Sequence, residues 1–228
     1  MPTFTVTGEI DPFLHVSLSK GERIFCESGA MVMMEEPLQV KGQMRGGLGR
    51  ALLRRLANDE SFFQQEIEAV GGDGDCLLAP TMPGAIELLD VTPGSSYTLS
   101  DSSFLAAEAG VHINPRLNTI GGGLFGGTGG FVIMEAVGQG KLAVSGFGSV
   151  FTLEVTRGRD VVIDNNHAVA WSSSLLYEVG MPRTGGGFFG SIVNSVTSGE
   201  GLVIRFRGEG KVVVCSRNKS IFRPQQGQ

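Results

Sequence analysis

The stretch IGGGLFGGTGGF, Ile120 to Phe131, is the first candidate for chemistry because glycine-rich runs can hold phosphate groups. A phosphate-binding loop follows a strand and opens a helix, so that backbone N–H groups point at the anion. Here the run leads into FVIMEAV, which has the apolar character of a strand, and no Lys-Ser or Lys-Thr pair follows the last glycine. The pattern therefore argues against a nucleotide site, and we expect no cofactor-binding residue in this run.

The three histidines, His15, His112 and His167, are the candidates for metal binding or acid–base catalysis. A cupin-like barrel would present a His-X-His pair, a nearby carboxylate and a later histidine as facial metal ligands, and the sequence has no such pair. Cys76 follows GDGD and would be an activated thiol only beside a base or a cation. We therefore predict no metal site and no catalytic residue, with Cys76 packed in the core.

The composition is that of an ordinary globular chain of 228 residues, 41% hydrophobic and 18% charged. Its 35 glycines are about twice the usual share and predict many turns between short strands. The net charge of -5 argues against a broad nucleic-acid-binding face. The three cysteines form no CxxC pair, and neither a signal peptide nor an apolar run of membrane-spanning length is evident. We expect reduced thiols in a cytoplasmic protein.

The glycine run recurs, which changes what it means. Similar segments begin at Arg45 (RGGLGRALL), Gly121 (GGGLFGGTGG) and Gly185 (GGGFFGSIV). Each leads into an apolar strand and then a Gly-X-Gly turn, and these turns lie at Gly72, Gly138 and Gly208. We predict a two-strand hairpin at each turn, with glycine supplying the positive φ. A loop used three times is more typical of architecture than of an active site.

Upstream of each run, an acid opens a similar short segment, at Glu27, Asp101 and Asp164. We interpret these acids as turn caps, although acids that recur once per unit would converge if the units packed about a pseudo-threefold axis. The repeats predict one domain over 1–228 with three similar units, at about 20–94, 95–158 and 159–219. A pseudo-threefold relation between these units is expected.

Turn signals every 8 to 12 residues, including those at Thr92 and Thr156, predict an all-β sandwich or barrel-like core. FTLEV (151–155) alternates apolar and polar residues, whereas DVVID and KVVVCS are nearly continuous and predict strands buried on both faces. One segment departs from this pattern. Gly47 to Asp59 carries leucines at helical spacing and predicts one short helix.

Several stretches together resemble a known family: SFFQQ (61–65), LAPTMPGAIELLDV (78–91), YTLSDSSFLAAE (97–108) and the late GGGFFG, within the full-length threefold pattern. The chain resembles the "altered inheritance of mitochondria" proteins, formerly a domain of unknown function, whose fold is grouped with the tryptophan RNA-binding attenuation protein. The resemblance covers nearly the whole chain. It implies a β-sandwich architecture and a bacterial or archaeal member, and it implies no established catalytic residues.

A basic segment, 41–55, carries five positive charges and no acid within an acidic protein. With its leucines it is typical of a basic amphipathic helix on an anionic membrane or a protein partner, or of a helix packed on its own β-core with solvated arginines. Aromatic residues occupy equivalent places in the later glycine runs and would mark an interaction surface if exposed. The candidate surface residues are Arg45, Arg50, Arg54, Arg55, Phe125, Phe188 and Phe189.

The sequence thus favours a non-enzymatic, homo-oligomeric binding or scaffold protein without a cofactor. A trimer is the favoured assembly, because glycine-phenylalanine loops leave apolar surface that a closed ring buries repeatedly. The alternative is RNA binding, since RFRGEGK (205–211) and RNKSIFR (217–223) interleave basic and aromatic residues, as strands with solvent-facing arginines also do. A metal-dependent cupin-like enzyme is the third hypothesis.

Overall fold

The computed structural model describes residues 1–43, 64–118, 131–180 and 202–218. Within these ranges the chain forms β-strands and one 3-10 turn, Asn165–His167. The all-β fold class predicted from the sequence is confirmed. None of the described helices is long and apolar enough to cross a membrane. The helix predicted over Gly47 to Asp59 and the three glycine-rich runs lie outside the described residues.

The strands follow one another along the described residues in three consecutive sets. The first set comprises β1 (Thr3–Thr7), β2 (Phe13–Leu18), β3 (Arg23–Glu27), β4 (Met31–Met34), β5 (Leu38–Gln43), β6 (Gln64–Ala69) and β7 (Gly74–Leu78). The second comprises β8 (Gly84–Val91), β9 (Tyr97–Ser100), β10 (Phe104–Glu108), β11 (Val111–Asn118), β12 (Phe131–Gly138) and β13 (Gly140–Phe147). The third comprises β14 (Val150–Val155), β15 (Val161–Asp164), β16 (Ala168–Ser172), β17 (Leu176–Gly180), β18 (Val203–Arg207) and β19 (Gly210–Cys215).

The same antiparallel pairings recur in every set. In the first, β7 pairs with β2 and β4, while β6 pairs with β3 and β5. In the second, β13 pairs with β8 and β10, while β12 pairs with β9 and β11. In the third, β19 pairs with β14 and β16, while β18 pairs with β15 and β17. A β-bulge interrupts β4, β10 and β16 at the same point of the pattern.

This recurrence supports the three-unit organisation, and the superposition of the units stays a prediction. The paired sets span 13–78, 84–147 and 150–215. The unit boundaries predicted from the sequence therefore fall after β2, β8 and β14. Within the part of the chain that the structure describes, strand β1 pairs only with β2 and has no counterpart in the other two sets.

Two strand pairings, which we name joints, link each set to the next. Strand β3 pairs with β10 at the first joint, and β9 pairs with β16 at the second. The result is four sheets: the first sheet is β1-β2-β7-β4, the second β5-β6-β3-β10-β13-β8, the third β11-β12-β9-β16-β19-β14 and the fourth β15-β18-β17. The two central sheets therefore each contain strands of two consecutive sets.

The Gly-X-Gly turns are corners between sheets, so the prediction of hairpins is wrong. The strand before each turn and the strand after it belong to different sheets, for example β12 in the third and β13 in the second. Strand β12 already has β9 and β11 on its two edges, which leaves no edge for β13. The positive φ expected of glycine is present at Gly138 (+111°) and Gly208 (+106°), whereas the same prediction for Gly72 is wrong.

Three apolar cores lie between successive sheets. The first core packs residues of the first sheet, such as Leu14, Val16 and Cys76, against residues of the second, such as Ile24 and Ala143. The second core joins Leu142 and Val144 of the second sheet to Leu99 and Val213 of the third. The third joins Trp171 and Val212 of the third sheet to Ile204 and Phe206 of the fourth. The sheets thus stack in order, and Val212 and Val213 are buried on opposite faces, as predicted for KVVVCS.

Candidate interaction surface

All seven surface residues predicted from the sequence lie in glycine-rich segments outside the described residues. The strands that flank those segments are described. Directly opposed residue pairs stand at the ends of each segment, and these are Gln43 with Gln64, Asn118 with Phe131, and Gly180 with Val203. Each segment therefore joins neighbouring antiparallel strands at the same place in the pairing pattern: β5 to β6, β11 to β12, and β17 to β18.

Strand β4 forms an edge of the first sheet and carries exposed apolar side chains. Val32 is 54% exposed and Met33 is 40% exposed. The strands at the same position in the other sets, β10 and β16, are central in their sheets and almost wholly buried. A flat apolar edge strand is a ready partner for another strand.

Strand β15 forms an edge of the fourth sheet, although the apolar run DVVID predicted burial on both faces. In the single chain that prediction is wrong: Val162 is half exposed, because β15 pairs with β18 and with no strand on its other side among the described residues. On the outer face of this sheet Val162 lies opposite Arg205, which lies opposite Glu178. The outer face of the fourth sheet thus begins with an apolar side chain at its edge and continues with charged ones.

The charges of this face are paired. Arg205 Nε donates to Asp160 Oδ2 at 3.0 Å, and Arg207 forms ion pairs with Asp160 (3.2 Å) and Glu178 (3.4 Å). Phe206, between the two arginines, is fully buried with its ring centroid 5.4 Å from that of Trp171. Ordinary strand alternation therefore accounts for the basic and aromatic pattern of RFRGEGK.

The histidines occupy three separate environments. His15 Nε2 lies 3.1 Å from Asp75 Oδ2, while His167 Nδ1 lies 2.7 Å from the Cys215 carbonyl oxygen. Hydrogen bonds from Ser17 and His15 lower the pKa of Asp75 below its usual range. His112 is exposed on β11. Within the described ranges, no group of three or more metal-binding side chains forms.

The three cysteines are buried, and none of them forms a disulfide with another cysteine of the described residues. Burial raises the pKa of both Cys26 and Cys76 to about 12. Such thiols stay neutral and are poor nucleophiles at neutral pH. The predicted core packing of Cys76 is confirmed.

The recurring acids do not gather into one site. Asp164 Oδ1 accepts a hydrogen bond from the Asn166 backbone N–H at 2.8 Å, so its predicted role as a turn cap is confirmed. Asp101 is exposed in the turn after β9, and Glu27 is half-buried at the end of β3.

An open cavity of about 490 Å³ lies where the three sets begin. Its walls come from the segments before β2, β8 and β14 and from the residues that follow β19. The polar side chains among them are Glu9, Asp11, Ser149, Ser216 and Arg217. No single set supplies the polar lining.

The fold and the candidate surface define an antiparallel, all-β protein of stacked sheets with three glycine-rich segments inserted at equivalent positions. The chain belongs to the Mitochondrial biogenesis AIM24 family, which it matches over residues 4–217. It is 33% identical over 217 residues to an uncharacterized protein of Streptococcus pyogenes serotype M6, covering 92% of this chain and 84% of that protein. A Streptococcus pyogenes protein, whose X-ray crystal structure was a structural genomics target, superposes with a TM-score of 0.78 at 30% identity, covering 97% of this chain and 96% of that one. The family expected from the sequence is confirmed, and these relatives are bacterial.

Sequence reasoning did not predict that β4 and β15 would be edge strands with exposed apolar side chains. The signal was present, because MVMM and VVID are nearly continuous apolar runs of the kind that sheets bury on both faces. These apolar runs did not identify the edges, because the sequence does not show which strands lack a neighbour on one side.

Proposed function

We propose that this chain is a non-enzymatic, homo-oligomeric scaffold or binding protein whose three glycine-rich segments form its interaction surface. One observation carries the proposal: the three segments are flanked by opposed strand pairs at the same place in every set. A site that recurs three times in a chain, and more often in an oligomer, suits multivalent binding, in which several weak contacts combine into a strong one.

The described side chains support a binding role over catalysis. The open cavity of about 490 Å³ takes its polar lining from segments that flank the first and the third set, as a junction between repeats would. The histidines lie apart, and the thiols of Cys26 and Cys76 are neutral at physiological pH. We also propose a cytoplasmic location, because buried cysteines in the reduced form suit a reducing compartment.

For the first segment we propose reversible contact with an anionic membrane surface. Arg50, Arg54 and Arg55 each contribute about 1 kcal/mol near such a surface. Three together give a few kcal/mol, so attachment should be weak and should disappear at high salt, where the screening length falls to about 3 Å near 1 M.

Vesicle co-sedimentation tests this proposal. We expect the wild type to pellet with phosphatidylglycerol vesicles at low salt and the triple variant R50A/R54A/R55A to bind at least about tenfold more weakly. A matched control removes three exposed positive charges elsewhere, K20A/R157A/R159A, and should bind more strongly than the first triple variant. If the wild type and both variants stay in the supernatant, the membrane contact is wrong, and the segment binds a protein or packs on the β-core.

A further inference from the structure

The two joints inside the chain give a template for what the open edges should meet. When β1 is left aside, the second strand of one set pairs at each joint with the third strand of the next: β3 with β10, then β9 with β16. On the same count, the second strand of the last set is β15, and the third strand of the first set is β4. These two strands are the unused halves of the same joint, and they do not pair with each other in the described chain.

The cores show the same pattern. The first core combines residues of the first set with Ile86, Leu105, Ala106 and Ala143 of the second. The second core combines residues of the second set with Val169, Ala170, Val213 and Cys215 of the third. Among the described residues, the third core contains none from the first set. It lacks the contribution that a following set makes to each of the other two.

The residues that would supply the missing contribution are those of the first set that are equivalent to the buried residues of β10 and β16. Met33 lies opposite Leu77, the third residue after Gly74. Ala106 and Ala170 lie opposite the residues at the same distance after Gly140 and Gly210. Ala106 and Ala170 are therefore the counterparts of Met33. Both are fully buried, whereas Met33 is 40% exposed.

The neighbours of Met33 show the same difference. The counterparts of Val32 at the bulge are Leu105 and Val169, which are buried, whereas Val32 is 54% exposed. Phe13 is 38% exposed, and its counterpart Ile86 is buried. We name Phe13, Val32 and Met33 the tail patch.

The third set carries the complementary surface. Phe151 and Leu14 occupy equivalent positions in their sets. Phe151 lies opposite Val214, the fourth residue after Gly210, and Leu14 lies opposite Leu78, the fourth residue after Gly74. Leu14 is fully buried in the first core, whereas Phe151 is 67% exposed. With the open edge of β15 and the half-exposed Val162, Phe151 forms what we name the head patch.

We propose that β15 of one copy pairs antiparallel with β4 of a second copy, and that the tail patch of the second copy completes the third core of the first. The occupant is a second copy because the required surface is itself a β4-type edge beside a tail patch, which this chain carries and leaves exposed. The inference rests on the homo-oligomer of the proposed function. Head and tail differ, so the contact is heterologous and either closes into a ring or extends as a filament. A ring of three is the trimer expected from the sequence.

Charge placed in the tail patch tests the pairing. In the single chain Met33 is 40% exposed, so M33E should fold, whereas its counterparts at the joints are fully buried and a glutamate there would be buried without a partner. We expect M33E to weaken assembly roughly a hundredfold or more in concentration-dependent sedimentation. The control V70E alters an apolar residue of equal exposure, 41%, in the turn between β6 and β7, and should assemble as the wild type does.

A disulfide assay keeps the test independent of folding defects. At the second joint Leu99 lies opposite Ala170, and the counterparts of these residues are Ile163 and Met33. Mixed M33C and I163C chains should therefore form a disulfide between the two kinds of chain under mild oxidation, and neither variant alone should form one. The native thiols are buried and should not compete.

The outcomes separate the two proposals. An oligomer that persists in M33E and gives no mixed disulfide overturns the joint while leaving the proposed assembly in place. Cross-linking of M33C with itself also overturns it, because that result would require an isologous contact of two β4 strands. A wild type that sediments as a single chain overturns the assembly itself. A disulfide within one chain of the double variant M33C/I163C would also overturn the pairing between copies, because the two edges would then close on their own molecule.

Discussion

At the residue scale, the chemistry of the cysteines follows from where their strands lie. Cys26 and Cys76 belong to β3 and β7, in adjacent sheets, and both point into the first core. An ionised thiolate in that apolar core would lose its hydration, so burial raises both pKa values to about 12. The sequence indicated buried thiols from their spacing and number, and only the packed core shows why they are inert.

These thiols make the stability of the chain sensitive to alkali. A thiol whose folded pKa is raised contributes stability that is complete below its ordinary pKa of 9.0 and is lost as the pH rises toward about 12. We expect the free energy of unfolding to fall over that window and to fall less steeply in the variant C26A/C76A, measured by guanidinium titration.

Labelling with iodoacetamide at pH 8 provides a direct check on the same thiols. Cys26 and Cys76 should remain unlabelled in the native protein and should react fully in guanidinium. Equal labelling rates in both conditions would contradict the burial of these side chains.

At the element scale, strand type could be predicted from the sequence more readily than strand partnership. The turns predicted at Thr92 and Thr156 are confirmed, since Thr92 bonds reciprocally with Ser95 and the Arg159 N–H donates to the Thr156 carbonyl. The prediction of hairpins at the Gly-X-Gly turns was wrong, because two apolar strands joined by a tight turn can either pair with each other or belong to separate sheets. The local sequence is the same in both cases, and the choice depends on distant strands such as β9, which pairs with β12.

The corner at Gly138 gives a test of this distinction. A Cβ at Gly138 would lie 2.2 Å from the Gly110 carbonyl oxygen, which accepts a hydrogen bond from the Gln139 N–H, and φ there is +111°. We expect G138A to lower the free energy of unfolding by about 2–4 kcal/mol.

The matched control is G158A, at a glycine with φ +79° and open space around the added Cβ. It should cost about 1 kcal/mol, because backbone strain acts there without a clash. If both variants lose the same amount of stability, close contact at the corner is not what requires glycine.

The edge strands show where sequence reasoning about the candidate site stopped. VVID and MVMM were recognisable as apolar strands, and the rule that such runs are buried on both faces gave the wrong exposure for Val162. On the proposed assembly the rule applies to the oligomer, in which β15 and β4 are central strands. The seven predicted surface residues lie outside the described ranges, so that part of the site stays a prediction.

At the scale of the whole molecule, the described residues form a stack of four sheets with two unlike ends. One end presents the tail patch and the edge of β4, and the other presents the head patch and the edge of β15. A stack of this kind leaves apolar surface exposed at both ends, whereas assembly of heads with tails buries it and repeats the glycine-rich segments around the oligomer. Stability and multivalent presentation would then come from the same contact.

The native mass of the wild-type chain tests this account most directly. Sedimentation velocity at micromolar concentration should show a species of three chains, each of 24.1 kDa, that dissociates on dilution or in M33E. A concentration-independent species with the mass of one chain would contradict the account, since the exposed edges β4 and β15 would then have no partner in solution.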